Sequence, residues 1–179
     1  MEQRTANLIV QAPGGTASKT ASSYKVALPS SWISEMGLNA DQRQLVLSFD
    51  GTCIVISKKL SFEEFIAQKR QQNHEVLLLA YYDGDTLCSH IAADQTDHTV
   101  CVRDYVSDCL RTAFGNAPLP AWSDYQSFLE DRCIPRARAG LREYLEALQL
   151  DEYDPIEIIK KTSGRMAEDD QWISIEVVK

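Results

Sequence analysis

The sequence predicts an α+β protein of two domains, residues 1–59 and 60–179. Residues 1–59 combine short runs of alternating apolar residues with one short helix, which is typical of a small β domain. From Leu60 the apolar spacing becomes helical, and a group of strands and then several helices follow. Strands and helices that are segregated along the chain favour an α+β domain with a small antiparallel sheet.

The first domain begins with a strand pair and a short helix. Residues 7–11 and 24–28 are predicted strands, joined by a small, polar segment that contains Pro13, Gly14 and Gly15. Pro29 ends the second strand because proline has no backbone N–H for a sheet. Ser30 and Ser31 are candidate N-caps of the helix, which ends at Gly37 in the left-handed position.

A hairpin completes the first domain. The dipeptide Asp50–Gly51 is a strong signal for a two-residue turn between two strands. Alternation places one set of large apolar residues on a common face of the hairpin: Leu45, Leu47, Phe49, Ile54 and Ile56. Some fifty residues with one helix are too few to bury a reliable core, so we expect a second copy to complete it.

The order of these elements resembles the AbrB/MazE/SpoVT swapped-hairpin domain. The similarity lies in Leu28–Pro29 before the helix, Met36–Gly37–Leu38 after it, and Phe49–Asp50–Gly51 between the last strands. The resemblance implies a homodimer that binds DNA through cations on and around the first hairpin. The residues at those positions are Arg4, Lys19 and Lys25. Because they are few, we expect DNA binding to be weak and salt-dependent.

Charge is divided unevenly between the two domains. Residues 1–60 contain six Lys/Arg and four acidic residues, a net charge of +2, whereas the remaining residues contain 12 Lys/Arg and 22 acidic residues, a net charge of −10. A dedicated DNA-binding protein usually carries a strongly basic surface, which this sequence lacks. The second domain should therefore repel nucleic acid and attract basic partners.

The second domain is predicted to begin with a helix and a three-stranded meander. Ser61 and Glu64 form a capping box for a helix that runs to about Gln72. Residues 75–82, 86–93 and 99–102 are the predicted strands, and the first of them is a buried strand. Four helices follow: one with apolar residues at helical spacing from Val102 to Ala113, one with a Ser123–Gln126 capping box, one from Pro135 to Leu148, and one that Asp154 caps before Pro155. A last strand spans 172–177. Pro135 is expected to open the third of these helices.

Arginines around the predicted Pro135 helix form the first candidate site in this domain. Arg132, Arg136, Arg138 and Arg142 could hold a phosphate or carboxylate, with Arg136 near the amino end of the helix. Acidic residues on the same segment, such as Glu130 and Glu143, favour instead a network of internal salt bridges. Both interpretations remain open at the level of the sequence.

Three consecutive acidic residues, Glu168, Asp169 and Asp170, form the second candidate site. They could hold a magnesium ion, although neighbouring residues rarely converge on one cation, and a solvated acidic loop is the simpler interpretation. No histidine stands at metal-ligand spacing with a second histidine or cysteine, and nucleophile-elbow and nucleotide-binding motifs are absent from the sequence. We therefore expect no enzymatic activity, metal or cofactor.

Composition indicates a cytoplasmic protein with no membrane partner. No apolar run approaches the ~18 residues of a membrane span, and the first residues lack the apolar core of a signal peptide. The five cysteines are scattered singly among apolar neighbours, and this pattern favours buried small residues over disulfides or zinc ligands.

The whole chain also resembles a protein family from mobile genetic elements of Gram-positive bacteria (Firmicutes). The similarity rests on residues 113–173, from AFGNAPLP to EDDQWI, joined to the AbrB-like start. That family includes type II-A anti-CRISPR proteins, so the resemblance implies an inhibitor that binds a type II CRISPR effector nuclease with its guide RNA. The partner-binding candidates are Glu168, Asp169, Asp170, Arg136 and Arg138. An AbrB-type transcription regulator or antitoxin is the alternative, and a nuclease using residues 168–170 is a distant third.

Overall fold

The computed structural model describes residues 2–11 and 22–178 of the chain, which divides into two compact units. The first unit comprises residues 1–59 and the second residues 60–179. The boundary falls where the apolar spacing changes, at Leu60. The described part of the chain is a mixed α+β structure, as the sequence predicts.

The first unit contains two strand pairs and one short helix. Strands β1 (Ile9–Gln11) and β2 (Ser23–Lys25) are antiparallel and shorter than predicted. Helix α1 spans Ser30–Glu35, and its N-cap is Pro29, so the prediction of a serine cap was wrong. Gly37 follows the helix with φ of 67°, which agrees with the expected left-handed stop.

Strands β3 (Leu45–Phe49) and β4 (Ile54–Lys58) form the predicted hairpin. Their register pairs Leu47 with Ile56 and Phe49 with Ile54, which places these side chains on one face. The turn is longer than the predicted two residues and covers 50–53. The Asp50 carboxylate accepts the backbone N–H of Thr52 at 2.8 Å and of Cys53 at 2.9 Å, and these hydrogen bonds lower its pKa.

The second unit is built on a four-stranded antiparallel sheet. Strands β5 (Val76–Asp83), β6 (Thr86–Asp94) and β7 (Thr99–Asp104) form the predicted meander, and β8 (Gln171–Val178) pairs with the free side of β5. The order across the sheet is therefore β7-β6-β5-β8. Register shifts between Tyr81 and Tyr82, where β5 meets β6.

Helices lie on both faces of this sheet. The larger core lies between one face and helices α3 (Trp122–Asp131), α4 (Leu141–Ala147) and α5 (Pro155–Thr162). Helix α2 (Phe62–Gln71) packs on the other face, where Phe65 joins Val76 and Ala92. Strand β5, predicted to be buried, has Val76, Leu77, Leu79 and Tyr81 buried and its other residues half-buried. Most of the half-buried positions lie where α2 covers only part of its face of the sheet.

Two predicted helices differ in the structure. Instead of a helix within 102–115, β7 continues to Asp104, and a 3₁₀ turn follows at Cys109–Arg111. The helix expected from Pro135 begins only at Leu141, because Gly140 before it has a φ of 81° that no α-helix allows. Arg136 therefore lies in a turn, and the prediction that it sits near the amino end of a helix was wrong.

Local capping signals account for the helices that were predicted correctly. The Ser61–Glu64 capping box begins α2, with Ser61 N–H donating to the Glu64 carboxylate at 2.9 Å. Asp154 caps α5 ahead of Pro155 and accepts the Ile156 N–H at 2.8 Å. Helix α3 begins one residue before Ser123, with Ala121 as its N-cap, so the prediction of a Ser123 cap was wrong. The Asp124 carboxylate accepts the Ala121 N–H at this end of the helix.

Candidate functional site

Two of the three cations expected to contact DNA, Arg4 and Lys25, are exposed in the first unit. Lys25 is exposed on β2, where it pairs across from Ile9. The Arg4 guanidinium lies 5.7 Å from the centre of the Trp32 ring, whose Nε1 donates a hydrogen bond to Glu2. Lys19 lies outside the described residues. DNA binding through these cations stays a prediction.

Many large apolar side chains of the first unit are exposed. Leu38 is the one hydrophobic side chain classed as buried among its described residues. Leu47, Phe49 and Ile54 are 66%, 70% and 67% exposed, and they share one face of the β3–β4 hairpin. Further exposed hydrophobic residues are Leu8, Ile9, Val10, Tyr24, Val26, Leu28, Leu45 and Val55. Exposed apolar surface on this scale is typical of an interface.

Arg132 is buried and joins three segments of the second unit. Its side chain donates to the Gly164 carbonyl oxygen at 3.0 Å and to the Gln171 carbonyl oxygen at 2.9 Å. Its two terminal nitrogens form a fork on Asp169, at 2.7 and 3.0 Å, and one of them also donates to Gln171 Oε1 at 3.2 Å. Tyr81 closes the group by donating to the Gln171 side chain. This saturated arrangement fixes the loop before β8 and leaves Arg132 no donor for a ligand.

The three acidic residues of this loop therefore have different roles. Asp169 is bound to Arg132, and the hydrogen bond from the guanidinium lowers the pKa of its carboxyl. Glu168 and Asp170 are exposed, as expected. The three carboxylates are not a shared cation site in the described structure, because Asp169 already has a cationic partner.

The other arginines of the predicted cluster are mostly paired with acidic neighbours. Arg136 binds Glu130 at 3.0 Å and lies 4.2 Å from the centre of the Tyr153 ring, and Arg142 binds Glu146 at 3.0 Å. Arg138 is exposed and makes no ion pair with any described residue. The sequence left a salt-bridge network and an anion site open, and the observed pairs correspond to the network.

A polar cluster that the sequence analysis missed lies where α2 ends. Its centre is Asp94, whose side chain is 0% exposed and lies 2.8 Å from Lys69 Nζ and 2.9 Å from His74 Nδ1. Asp97 lies 2.8 Å from the same Lys69 nitrogen. Burial raises the pKa of Asp94, but the hydrogen bonds from His74 and Lys69 outweigh burial and bring it to about 2.

His74, Asp94 and Asp97 are also the one group of described residues placed to hold a metal ion. Their ligand atoms lie within 4.8 Å of one another. The Lys69 ammonium already lies against both carboxylates, so the position of a cation is taken by the protein itself. The cluster ties α2 to the turn between β6 and β7, and we assign it a structural role.

The cysteines differ in how far their side chains are exposed to solvent. Cys88 and Cys133 are buried, as expected, and burial raises the pKa of Cys133 to about 11. Cys53 is exposed in the β3–β4 turn, which corrects the expectation that all five are buried. Its Sγ donates to Asp50 at 3.2 Å, and this contact raises the pKa of the thiol.

Comparisons with protein-family models, with curated proteins and with solved structures found no match. Among the described residues, no helix is both long and apolar enough to cross a membrane.

Proposed function

We propose that this chain is an anti-CRISPR protein, a homodimeric and non-enzymatic inhibitor that binds a type II CRISPR nuclease with its guide RNA. The observation that carries the proposal is the net charge of −10 on residues 61–179 beside a mildly basic first unit. RNA-guided nucleases hold nucleic acid in positively charged channels. An acidic protein is attracted to such a channel and can compete there with target DNA.

The exposed apolar face of the first unit supports the homodimer. Leaving large hydrophobic side chains in water costs about 25 cal/mol for each Å² of apolar surface. Leu47, Phe49 and Ile54 are about two-thirds exposed in a single chain and would be covered by the same residues of a second copy. Light scattering of the full chain tests this: we expect twice the chain mass of 20.1 kDa, and a stable monomer would contradict it.

A pair of neighbouring substitutions makes the dimer test specific to this face. Leu47→Asp puts a carboxylate on the proposed interface, whereas Ser48→Asp puts one on the opposite face of the same strand. Both positions are exposed in a single chain, so a monomer would tolerate both changes. We expect Leu47→Asp to dissociate or unfold the first unit and Ser48→Asp to leave the dimer intact.

Inhibition is tested with a purified type II nuclease loaded with guide RNA. The variant with Glu168→Gln and Asp170→Asn removes two exposed charges but keeps Asp169, which binds Arg132. Its matched control, Asp151→Asn with Glu152→Gln, removes the same charge from another exposed site. We expect the first variant alone to slow association and relieve inhibition of DNA cleavage. Equal behaviour of the two would show that only the overall charge matters.

An AbrB-type regulator or antitoxin is the second candidate, because the first unit has the strand, helix and hairpin order of that domain and a net charge of +2. Under the inhibitor proposal, DNA binding through Arg4, Lys19 and Lys25 is weak and sequence-tolerant. About four to six phosphate contacts would lose a hundredfold or more in affinity between about 50 and 200 mM salt. Nanomolar binding to one operator at physiological salt, with no nuclease inhibited, would favour the regulator.

A further inference from the structure

The face of the four-stranded sheet that carries α2 is only partly covered. Strands β5 and β8 are paired so that Leu78 lies opposite Glu176, Ala80 opposite Ser174 and Tyr82 opposite Trp172. All six side chains point to the α2 side of the sheet because residues two apart in a strand share a face. Beside Phe62, at the amino end of α2, this surface forms a cleft of about 290 Å³.

The aromatic rings of Phe62, His90 and Tyr82 line this cleft, which we name the sheet cleft. Phe62 and His90 are stacked with their ring centres 6.0 Å apart, and Tyr82 and Trp172 are stacked at 4.2 Å. Ala80 lies between the two pairs, and its side chain is too small to fill the cleft.

Hydrogen bonds hold both pairs in place. Trp172 Nε1 donates to the Gly84 carbonyl oxygen at 2.8 Å, and His90 Nδ1 lies 2.8 Å from the Tyr105 hydroxyl. Rings that are already ordered lose little conformational freedom when a ligand stacks on them.

The polar side of the sheet cleft is acidic. Glu176 is exposed at its edge and makes no ion pair with any described residue, and Ser174 lies beside it. A carboxylate in the same cleft as aromatic rings suits a planar cation that can stack and donate hydrogen bonds together. The guanidinium group of arginine has this chemistry, whereas the compact ammonium of lysine cannot stack.

The same aromatic rings already interact with arginines of the chain itself. The Arg165 guanidinium lies 5.2 Å from the centre of the Trp172 ring, and that of Arg103 lies 5.3 Å from the centre of the Phe62 ring. Arg103 is also bound to Glu63, so its charge is compensated locally. Both aromatic pairs therefore accept a guanidinium on a ring face. Glu176 can supply the counter-charge for a further guanidinium, from a partner.

We propose that the sheet cleft binds an arginine side chain of a basic protein partner. The aromatic rings alone would also suit the base of a nucleotide. The net charge of −10 on residues 61–179 repels the phosphates of a nucleotide and attracts a basic protein. The identity of the partner as a nuclease rests on the proposed function. The recognition of arginine does not require it.

The test is an NMR titration of the full chain with the tripeptide acetyl-Gly-Arg-Gly-amide. The indole N–H of Trp172, assigned with a Trp172→Phe variant, reports on the sheet cleft through the Tyr82 ring, on which Trp172 stacks. We expect saturable binding with a Kd on the order of 1 mM, as suits one side chain. The control peptide replaces arginine with citrulline, which has nearly the same shape and no charge, and should bind about tenfold more weakly.

Two variants locate the site. Glu176→Gln removes the charge from the sheet cleft and should weaken binding of the arginine peptide about tenfold. The control Glu168→Gln removes an exposed charge from the loop before β8 and should not change the binding. Ala80→Leu should abolish binding by filling the cleft while leaving Glu176 in place.

Three outcomes would overturn the proposal: equal binding of the citrulline peptide, no response of the Trp172 indole, or tighter binding of adenosine monophosphate than of the arginine peptide. Because no nuclease is present in this titration, its failure would not affect the inhibition assay. A chain that binds the arginine peptide but inhibits no type II nuclease would refute the proposed function and leave the arginine site standing.

Discussion

Replacing Asp169 with asparagine should destabilise the second unit, although its two acidic neighbours tolerate the corresponding change. Asp169 accepts both terminal nitrogens of Arg132, at 2.7 and 3.0 Å, and the backbone N–H of Gln171 at 3.0 Å. The Arg132 side chain is 7% exposed, so the change leaves a buried guanidinium without its counter-ion.

The expected cost lies between those of buried and surface ion pairs. Removing one partner of a fully buried pair costs about 3 to 5 kcal/mol, and exposed pairs contribute about 1 kcal/mol or less. The Asp169 side chain is 32% exposed, which places the cost near 2 kcal/mol. In a unit of this size that corresponds to a fall in Tm of roughly 6 to 10 °C.

Thermal and urea denaturation at pH 7, followed by circular dichroism, measure this effect. Glu168→Gln and Asp170→Asn are the matched controls, because both remove one exposed charge from the same loop. The controls should stay within about 0.5 kcal/mol of the unaltered protein. Equal midpoints for all three variants would refute the view that the Arg132–Asp169 pair holds the loop.

Two further predictions concern buried contacts of the second unit. Asp94→Asn should lower the free energy of unfolding by about 2 to 3 kcal/mol at pH 7, because the pKa of Asp94 in the folded protein, about 2, lies below the ordinary 3.8. The ionised carboxylate gives this stabilisation in full above pH 3.8, and it is lost as the pH falls through about 2. Urea denaturation from pH 7 to pH 2 measures it, and a deficit that does not shrink towards pH 2 would contradict the assignment. Gly164→Ala should cost about 1 to 2 kcal/mol more than Gly84→Ala, since both glycines have positive φ but only at Gly164 would the new Cβ lie 3.2 Å from Arg132 Cβ. Equal thermal midpoints of the two alanine variants would show that this contact carries no strain.

Part of the candidate site could be predicted from the sequence. The unequal charge of the two units and the exposure of Glu168 and Asp170 follow from composition and from a loop with no apolar period. The same reasoning treated Asp169 as equivalent to its neighbours. Its partner Arg132 is 37 positions away, and no local pattern connects the two.

The sheet cleft illustrates the same limit. Residues 75–82 form an almost continuous apolar run, which predicts a buried strand without indicating how much of each face is covered. Coverage depends on the length of α2 and on where it packs, and helix α2 leaves Ala80 and Tyr82 open. Glu176 belongs to the same surface only because β8 pairs with β5 in this register.

Elements whose signals act within a few residues could be predicted from the sequence alone. Ser61, Asp154 and Gly37 set helix ends through hydrogen bonds or dihedral angles of their own turn, and alternation marked the strands. The tertiary structure alone decided the pairing of β8 with β5, the partners of Arg132 and the cluster around Asp94. Those contacts join residues 20 to about 100 positions apart, and their formation depends on which surfaces meet once the chain has folded.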